Sequence, residues 1–302
     1  MKSKCRLAIV LCVTLLAMPV MSLGESRIDK IKRTKKLDAG AREGIPPFGF
    51  YDEKGQWVGW CMDLTRALHK VIVKKLGMDI ELVFKPVTPQ TRIPLIVNGT
   101  LDLVLESATQ SVDREGPVDF SLPNKASLGS VLMRKGTPII NFKDLAGKRA
   151  GVTAGSTYER FLVEQGKKGL INPPPVVVTF NEDAASFLAM QQGKIDVHVT
   201  SDLYNYGLRA KVPRPEEWEV KVFAEELGFQ TQGIILPKND SDWRDMVNHS
   251  QCYLIRTGEY QKIWDDWFGP KNPKAGYAYP ITEPFKTLVY WQCWDDTKDF
   301  IK

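Results

Sequence analysis

The run Leu101-Asp-Leu-Val-Leu105 constrains this chain more than any other stretch. It alternates too little for a half-exposed strand and suits a strand buried on both faces of a parallel sheet. Before it, Arg92 to Val97 reads as a short helix with Pro94 in the first turn, where a missing N–H costs little. Asn98-Gly99 then supplies a left-handed stop. After it, Glu106-Ser107-Ala108-Thr109 forms a polar turn, and Ser111 caps a helix carrying Asp113 and Arg114. The carboxyl end of a buried parallel strand, followed by a helix N-terminus, is where open α/β sheets bind ligands. Hydroxyls, free backbone N–H groups and two arginines in that place would receive an anion. The same stretch also reads as an ordinary αβ unit with solvated arginines, so the rest of the chain must decide.

Around this unit the pattern is α/β throughout. A strand ends at Arg42, a loop rich in breakers and aromatics follows (Glu43 to Asp52), and Asp63 to Leu76 is an amphipathic helix with His69 outside its apolar stripe. Ile80 to Phe84 is the next strand, which makes β-α-β-α-β order and a parallel sheet with right-handed crossovers. A second α/β pattern begins near residue 135. It has strands at Arg149 to Thr153, Val176 to Phe180 and Ile195 to Thr200, and a helix capped by Asn181 with Glu182 and Asp183 in its first turn. Ala154-Gly-Ser-Thr157 opens another helix, a turn that presents N–H groups and the Ser156 and Thr157 hydroxyls. Trp264, Trp267 and Phe268 read as core, and the tail from Pro270, with Trp291 and Trp294, as a surface wrap.

The first 24 residues are different material. Lys2, Lys4 and Arg6 precede an apolar run from Leu7 to Val20, and Ser22-Leu-Gly24 has the small residues of a cleavage site, the form of a secretory signal peptide. Its removal takes three positive charges, so the formal +5 falls to about +2. No Lys/Arg block with interleaved aromatics points to nucleic acid, and no Gly-rich phosphate loop is present. His69, His198 and His249 are far apart without Cys or acidic spacing, so no metal and no cofactor is expected. Of three cysteines left after cleavage, Cys252 and Cys293 are candidates to pair in an oxidising compartment, closing a loop of about 40 residues. Cys61 would remain a packed thiol.

The order NGTLDLVLESATQSVDREGPVDFS resembles the central motif of the type-II periplasmic solute-binding proteins of ABC importers (bacterial extracellular solute-binding family 3), especially their glutamate/aspartate-binding branch. The resemblance runs from about Lys36 to about Gly269, and includes A-R-E-G-x-P-P-F-G-F-Y-D near the start and T-G-E-Y-Q-K-I-W-D-D-W-F-G near the end. It implies a two-lobed Venus-flytrap fold, each lobe a mostly parallel sheet flanked by helices, with two hinge crossings. Lobe one would hold 25–129 and 235–302, and lobe two 130–234. It further implies that Thr109 and Arg114, with Ser107, grip an α-carboxylate, and that Arg42 and Arg92 reach a distal carboxylate. Phe50 is the aromatic expected over the ligand, Ser156 and Thr157 the lobe-two hydroxyls. The acid that takes an α-ammonium falls on Ser201, with Asp202 one residue late, a shift that turns a strand residue to the other side. Departures from the branch are Pro89 in place of a serine, Ala108 in place of a threonine and Asp183 at a histidine position.

Three guanidiniums (Arg42, Arg92 and Arg114) around one small pocket would repel one another unless an anion sat among them. The charge argument points to a small acidic solute, an acidic amino acid or a dicarboxylate; with the signal peptide, the resemblance further implies an exported monomer, located in the periplasm, that docks on a membrane permease. The rival readings are a periplasmic sensing subunit for a receptor and a dehydratase-like enzyme on the same fold. For the latter, Glu106 and Asp183 are the only acid–base candidates, neither with a recognisable partner.

Overall fold

The computed structural model describes residues 25–106, 108–271 and 273–279, with 289, 292, 293 and 295–301 of the tail. The signal segment, Ser107, Trp291 and Trp294 lie outside the described residues.

Helix α1 (Arg27–Thr34) begins at Ser26, whose hydroxyl accepts from the Asp29 N–H, and leads into strand β1 (Lys36–Ala41). The breaker-rich loop becomes a small antiparallel meander of β2 (Gly44–Ile45), β3 (Gly49–Tyr51) and β4 (Trp57–Val58). Helix α2 (Trp60–Leu76) starts three residues before the expected Asp63, because Trp60, Cys61 and Met62 are already buried. Gly77, at φ 65°, stops it in the left-handed conformation. Then follow β5 (Glu81–Pro86), α3 (Arg92–Val97), β6 (Leu103–Val104), α4 (Val112–Glu115) and β7 (Val118–Phe120). Strands β5, β1 and β6 are parallel. The sheet is completed by β14 (Ile235–Pro237), which enters antiparallel between β6 and β7 and gives the order β5-β1-β6-β14-β7. The buried run that opened the sequence argument sits at the centre, with Leu101, Leu103, Val104 and Leu105 all 1% exposed or less.

The second sheet starts from β8 (Lys125–Arg134) and adds β9 (Arg149–Thr153), α5 (Thr157–Lys167), β10 (Val176–Phe180), α6 (Asp183–Gln191) and β11 (Val197–Ser201). It continues through α7 (Asp202–Ala210), β12 (Trp218–Val222), α8 (Ala224–Leu227) and β13 (Phe229–Gln232). Its order is β10-β9-β11-β8-β12, with β10, β9 and β11 parallel and β8 antiparallel to both its neighbours. The first four residues of β8 pair with β13, and the remainder belongs to the second sheet. These two antiparallel strands are therefore the crossings between lobes. The chain ends its regular part with α9 (Ser241–Arg256) and α10 (Glu259–Phe268).

In the larger core Trp60 meets Phe48, Tyr260 and Trp264 edge to face, and Phe268 packs tilted against Phe48 and Trp264, arrangements that add to simple area burial. The Trp243 indole N–H donates to the Asp102 carbonyl (2.9 Å), which docks α9 on the sheet.

Besides the start of α2, other local expectations needed correction. Helix α6 is capped one residue later than Asn181, at Glu182. His69 is half-buried, with Nε2 2.7 Å from the Ile80 carbonyl, rather than in solvent. The tail is more than a surface wrap: Ala275, Val289 and Cys293 are buried in the lobe-one core. The tail also reaches lobe two, where Tyr277 donates to the Leu203 carbonyl (2.6 Å) and Tyr279 to Asp202 Oδ2 (2.7 Å). Tyr279 is fixed on the other side by Trp264 Nε1, which donates to its carbonyl.

Cys252 and Cys293 are bonded, with Cα atoms 5.2 Å apart, while Cys61 is free and buried. The bond closes a 41-residue separation. Cys293→Ser is therefore expected to lower unfolding free energy by about 3–4 kcal/mol in urea titration, and dithiothreitol should do the same to the unmodified chain. Coincident curves for oxidised and reduced protein would show that the bond does not hold the tail.

Candidate functional site: a charged cleft between the lobes

A small cavity, about 40 Å³ in volume, lies between the two sheets. Lobe one contributes Arg42, Pro89, Arg92, Thr109 and Arg114, and lobe two Thr153, Ser156, Thr157, Tyr158, Asp183, Thr200, Ser201 and Tyr204, with Gln230 and Gln232 from the crossing. Each arginine is positioned by the end of a regular element. Arg42 follows β1, Arg92 opens α3, and Arg114 lies in α4 beyond β6. The parallel strands point their carboxyl ends at one place, so residues 72 positions apart in sequence meet.

Arg42, Arg92 and Arg114 are 5%, 3% and 7% exposed. Two of them are already paired. Arg42 Nη2 contacts Glu182 and lies 3.1 Å from Asp183 Oδ2, and its Nε is 3.9 Å from Glu106 Oε2. Burial opposes the charge on Arg42, but Asp183 and Glu182 outweigh it and hold the guanidinium above its ordinary value. Arg92 Nη1 contacts Glu106 Oε1. Burial and the like charges of Arg114 and Arg42 press Arg92 downward, and the Glu106 carboxylate is the counter-ion that keeps it charged. The crowding inferred from the sequence is real, but the protein supplies carboxylates of its own to relieve it.

Arg114 differs. Its hydrogen bonds go to backbone carbonyls, Nη1 to Thr109 (2.8 Å) and Nη2 across the cleft to Gly155 (3.4 Å). Burial, then the nearby Arg160, lower it to about 10, with Asp113 opposing. Gly155 lies in the left-handed region at φ 74°, and an added Cβ would meet Gln90 Cγ at 3.4 Å, so the turn comes close to lobe one. Ser156 caps α5 by accepting from the Glu159 N–H, and the Thr157 hydroxyl is buried without a partner. Thr109 donates to Gln230 Oε1 (2.6 Å).

Asp183 is held well below the ordinary carboxylate range: burial raises it, but Arg42 and then His198 prevail. Its Oδ1 has no hydrogen bond and lies 3.3 Å from His198 Nε2, whose other nitrogen, Nδ1, is 2.8 Å from Ser186 Oγ. The neighbouring Glu182 is pushed up by burial, against the pull of Arg42.

Of the residues expected at the site, Arg42, Arg92, Thr109, Arg114, Ser156 and Thr157 come together around the cavity; Ser107 is outside the described residues. Phe50 does not join them. It packs edge-on against Trp267 (6.2 Å), with Lys211 Nζ 5.1 Å over its ring, and lines a separate surface cavity. Asp202 also points elsewhere: β11 ends at Ser201, which faces the cavity, and Asp202 turns away to accept from the Leu128 and Leu203 N–H groups and Tyr279. The strand has ended by then: Asp202 is the first residue of α7, and its carboxylate is used on those groups. Sequence reasoning missed Tyr204, Gln230 and Gln232. The signal for the glutamines was the alternation Phe-Gln-Thr-Gln in the return crossing, which puts both amides on one face.

Behind the site, Lys125 is completely buried and donates to the Glu106 carbonyl (2.8 Å), with Phe48 and Trp60 rings about it at 5.2 and 5.0 Å. Burial lowers it to about 8, against a weaker opposing pull from Cys61. The unfolded chain then binds the extra proton between about pH 8 and 10.5, so native stability rises with pH across that window. Urea unfolding at pH 7.5 and 10 should show wild type gaining about 2 kcal/mol on Lys125→Met. Parallel pH profiles for the two proteins would mean that the buried amine is not charged-state limited.

Residues 37–270 match the bacterial extracellular solute-binding proteins, family 3. The L-glutamate/L-aspartate-binding protein of Pseudomonas aeruginosa is 30% identical over 268 residues, 87% of each chain. The glutamate/aspartate import solute-binding protein of Salmonella typhimurium is 31% identical over 252 residues, 82% of this chain and 80% of that protein. A solved structure described as an ancestral arginine-binding protein bound to glutamine superposes with a TM-score of 0.68 at 30% identity, covering 78% of this chain and 98% of that one. With two crossing strands, a cleft between two sheets and this extent of similarity, the chain belongs to the bacterial extracellular solute-binding proteins, family 3.

Proposed function

We propose that this protein is the periplasmic solute-binding component of an ABC importer. On this reading it closes as a monomer on a small acidic amino acid and delivers it to a membrane permease. Lobe one holds 25–129 and 235–302, lobe two 130–234, and both lobes touch the ligand, so binding favours the closed form. The observation that carries the reading is Arg114: a buried guanidinium whose hydrogen bonds use backbone carbonyls only, facing a cavity lined by Thr109, Ser156 and Thr157. It receives the α-carboxylate, with the N-terminus of α5 adding its N–H groups and dipole. Arg42 and Arg92 each keep an Nε–H without a partner, and these donors take the distal carboxylate. Asp183, ionised and with Oδ1 3.3 Å from His198 Nε2, takes over from Asp202 as the partner for the α-ammonium. That carboxylate is why an amino acid is preferred to a plain dicarboxylate. The names of the relatives, glutamate/aspartate import and binding proteins, support the same ligand class.

Isothermal titration with L-glutamate, L-aspartate, succinate, glutarate, L-glutamine and L-arginine should give the tightest binding with an acidic amino acid. If arginine alone binds, the distal-carboxylate assignment is wrong. Arg114→Ala removes a charged, buried hydrogen-bonding partner and should weaken the best ligand about 100-fold or more. An affinity within threefold of wild type would take Arg114 out of the site.

A further inference from the structure

Glu106 occupies a place that an acidic ligand also needs. It is 1% exposed and stands at the carboxyl end of the central strand segment. Its Oε1 contacts Arg92 Nη1, and its Oε2, 3.9 Å from Arg42 Nε, is buried without a hydrogen bond. Its main chain is tied down by Lys125, whose Nζ donates to the Glu106 carbonyl. The side chain is thus an internal carboxylate standing between the two guanidiniums that face the ligand's far end. The other acids near Arg42, Glu182 and Asp183, approach from lobe two. Glu106 comes from lobe one, as both arginines do, so its pairing with them does not cross the cleft.

Two carboxylates brought to the same guanidiniums in a water-poor cavity repel each other, and each must give up part of its pairing to the other. A far-end amide, which is uncharged, meets no such repulsion and can donate to Oε2. We propose that Glu106 is a specificity-determining internal counter-ion. It competes with the ligand's second carboxylate for Arg92 and Arg42, and so limits how strongly the protein prefers an acidic amino acid over its amide. The inference rests on the reading that Arg42 and Arg92 face the ligand's distal group.

The test is isothermal titration of the full mature chain and its Glu106→Gln variant with L-glutamate, L-glutamine, L-aspartate and L-asparagine. Glu106→Gln keeps the shape and one acceptor for Arg92 while removing the negative charge, and should raise the acid-to-amide affinity ratio at least tenfold. A ratio within twofold of wild type, or one that falls, overturns the proposal. The Glu106→Gln/Arg92→Gln double variant removes both partners of the pair and should lose most of that gain. If the double variant keeps the raised ratio, Arg92 is not the shared group and the proposal fails. Should Glu106→Gln not fold, Glu106→Asp serves: its shorter carboxylate withdraws from Arg92 and should raise the ratio by several-fold, an unchanged ratio again overturning the idea. When ligands bind but the ratio does not move, only the role of Glu106 is lost. When none of the four binds wild type or variants, the ligand-class reading fails and the Glu106 proposal falls with it.

Discussion

Everything in the cleft depends on burying like charges next to one another. Guanidiniums from three separate segments, the end of β1 and the short helices α3 and α4, converge at the carboxyl ends of the parallel strands. Such a cluster is tolerable only with opposite charge at contact distance, since isolated ions lose far more hydration than the interior returns. Glu106, Glu182 and Asp183 provide it. Two of these acids belong to the second lobe, so the charge balance of the first lobe is completed only across the cleft. Electrostatics and domain closure are in this sense one problem, and ligand recognition is added to a cavity that is already nearly neutral.

The fold was legible in the sequence because its signals are local and redundant. Leu101 to Leu105 suited a buried strand, of which Leu103–Val104 is the regular part, and Gly77 ends α2 as its position suggested. The bounds of Arg92 to Val97, Arg149 to Thr153 and Val176 to Phe180 agree with the structure residue for residue. The errors were of a different kind. Asp63 was taken as the start of α2 because burial of Trp60, Cys61 and Met62 is a tertiary fact that periodicity does not carry. The tail looked like a wrap because its buried residues are few and spaced irregularly.

The site was legible in its cations and less so in its anions. Arg42, Arg92 and Arg114 were found by their place in quoted motifs. Glu182 and Asp183 looked like ordinary first-turn acids, which favour a helix N-terminus, and Glu106 like a turn residue. Nothing local distinguishes an acid that caps a helix from one that also crosses a cleft to an arginine 140 residues away. Phe50 was chosen as an aromatic near the right motif, and its neighbours Trp267 and Lys211 come from distant parts of the chain. Ser201 faces the cavity and Asp202 does not, but the cause is the start of α7 at Asp202 rather than strand alternation, since Thr200 and Ser201 both line the cavity.

The tail segment with Tyr277 and Tyr279 carries a consequence for motion. Anchored to α10 through Trp264 and gripping the start of α7 through Asp202 and Leu203, it bridges the lobes apart from β8 and β13. A rotation about those strands must either strip two phenol hydrogen bonds from α7 or carry the segment along as a third tether.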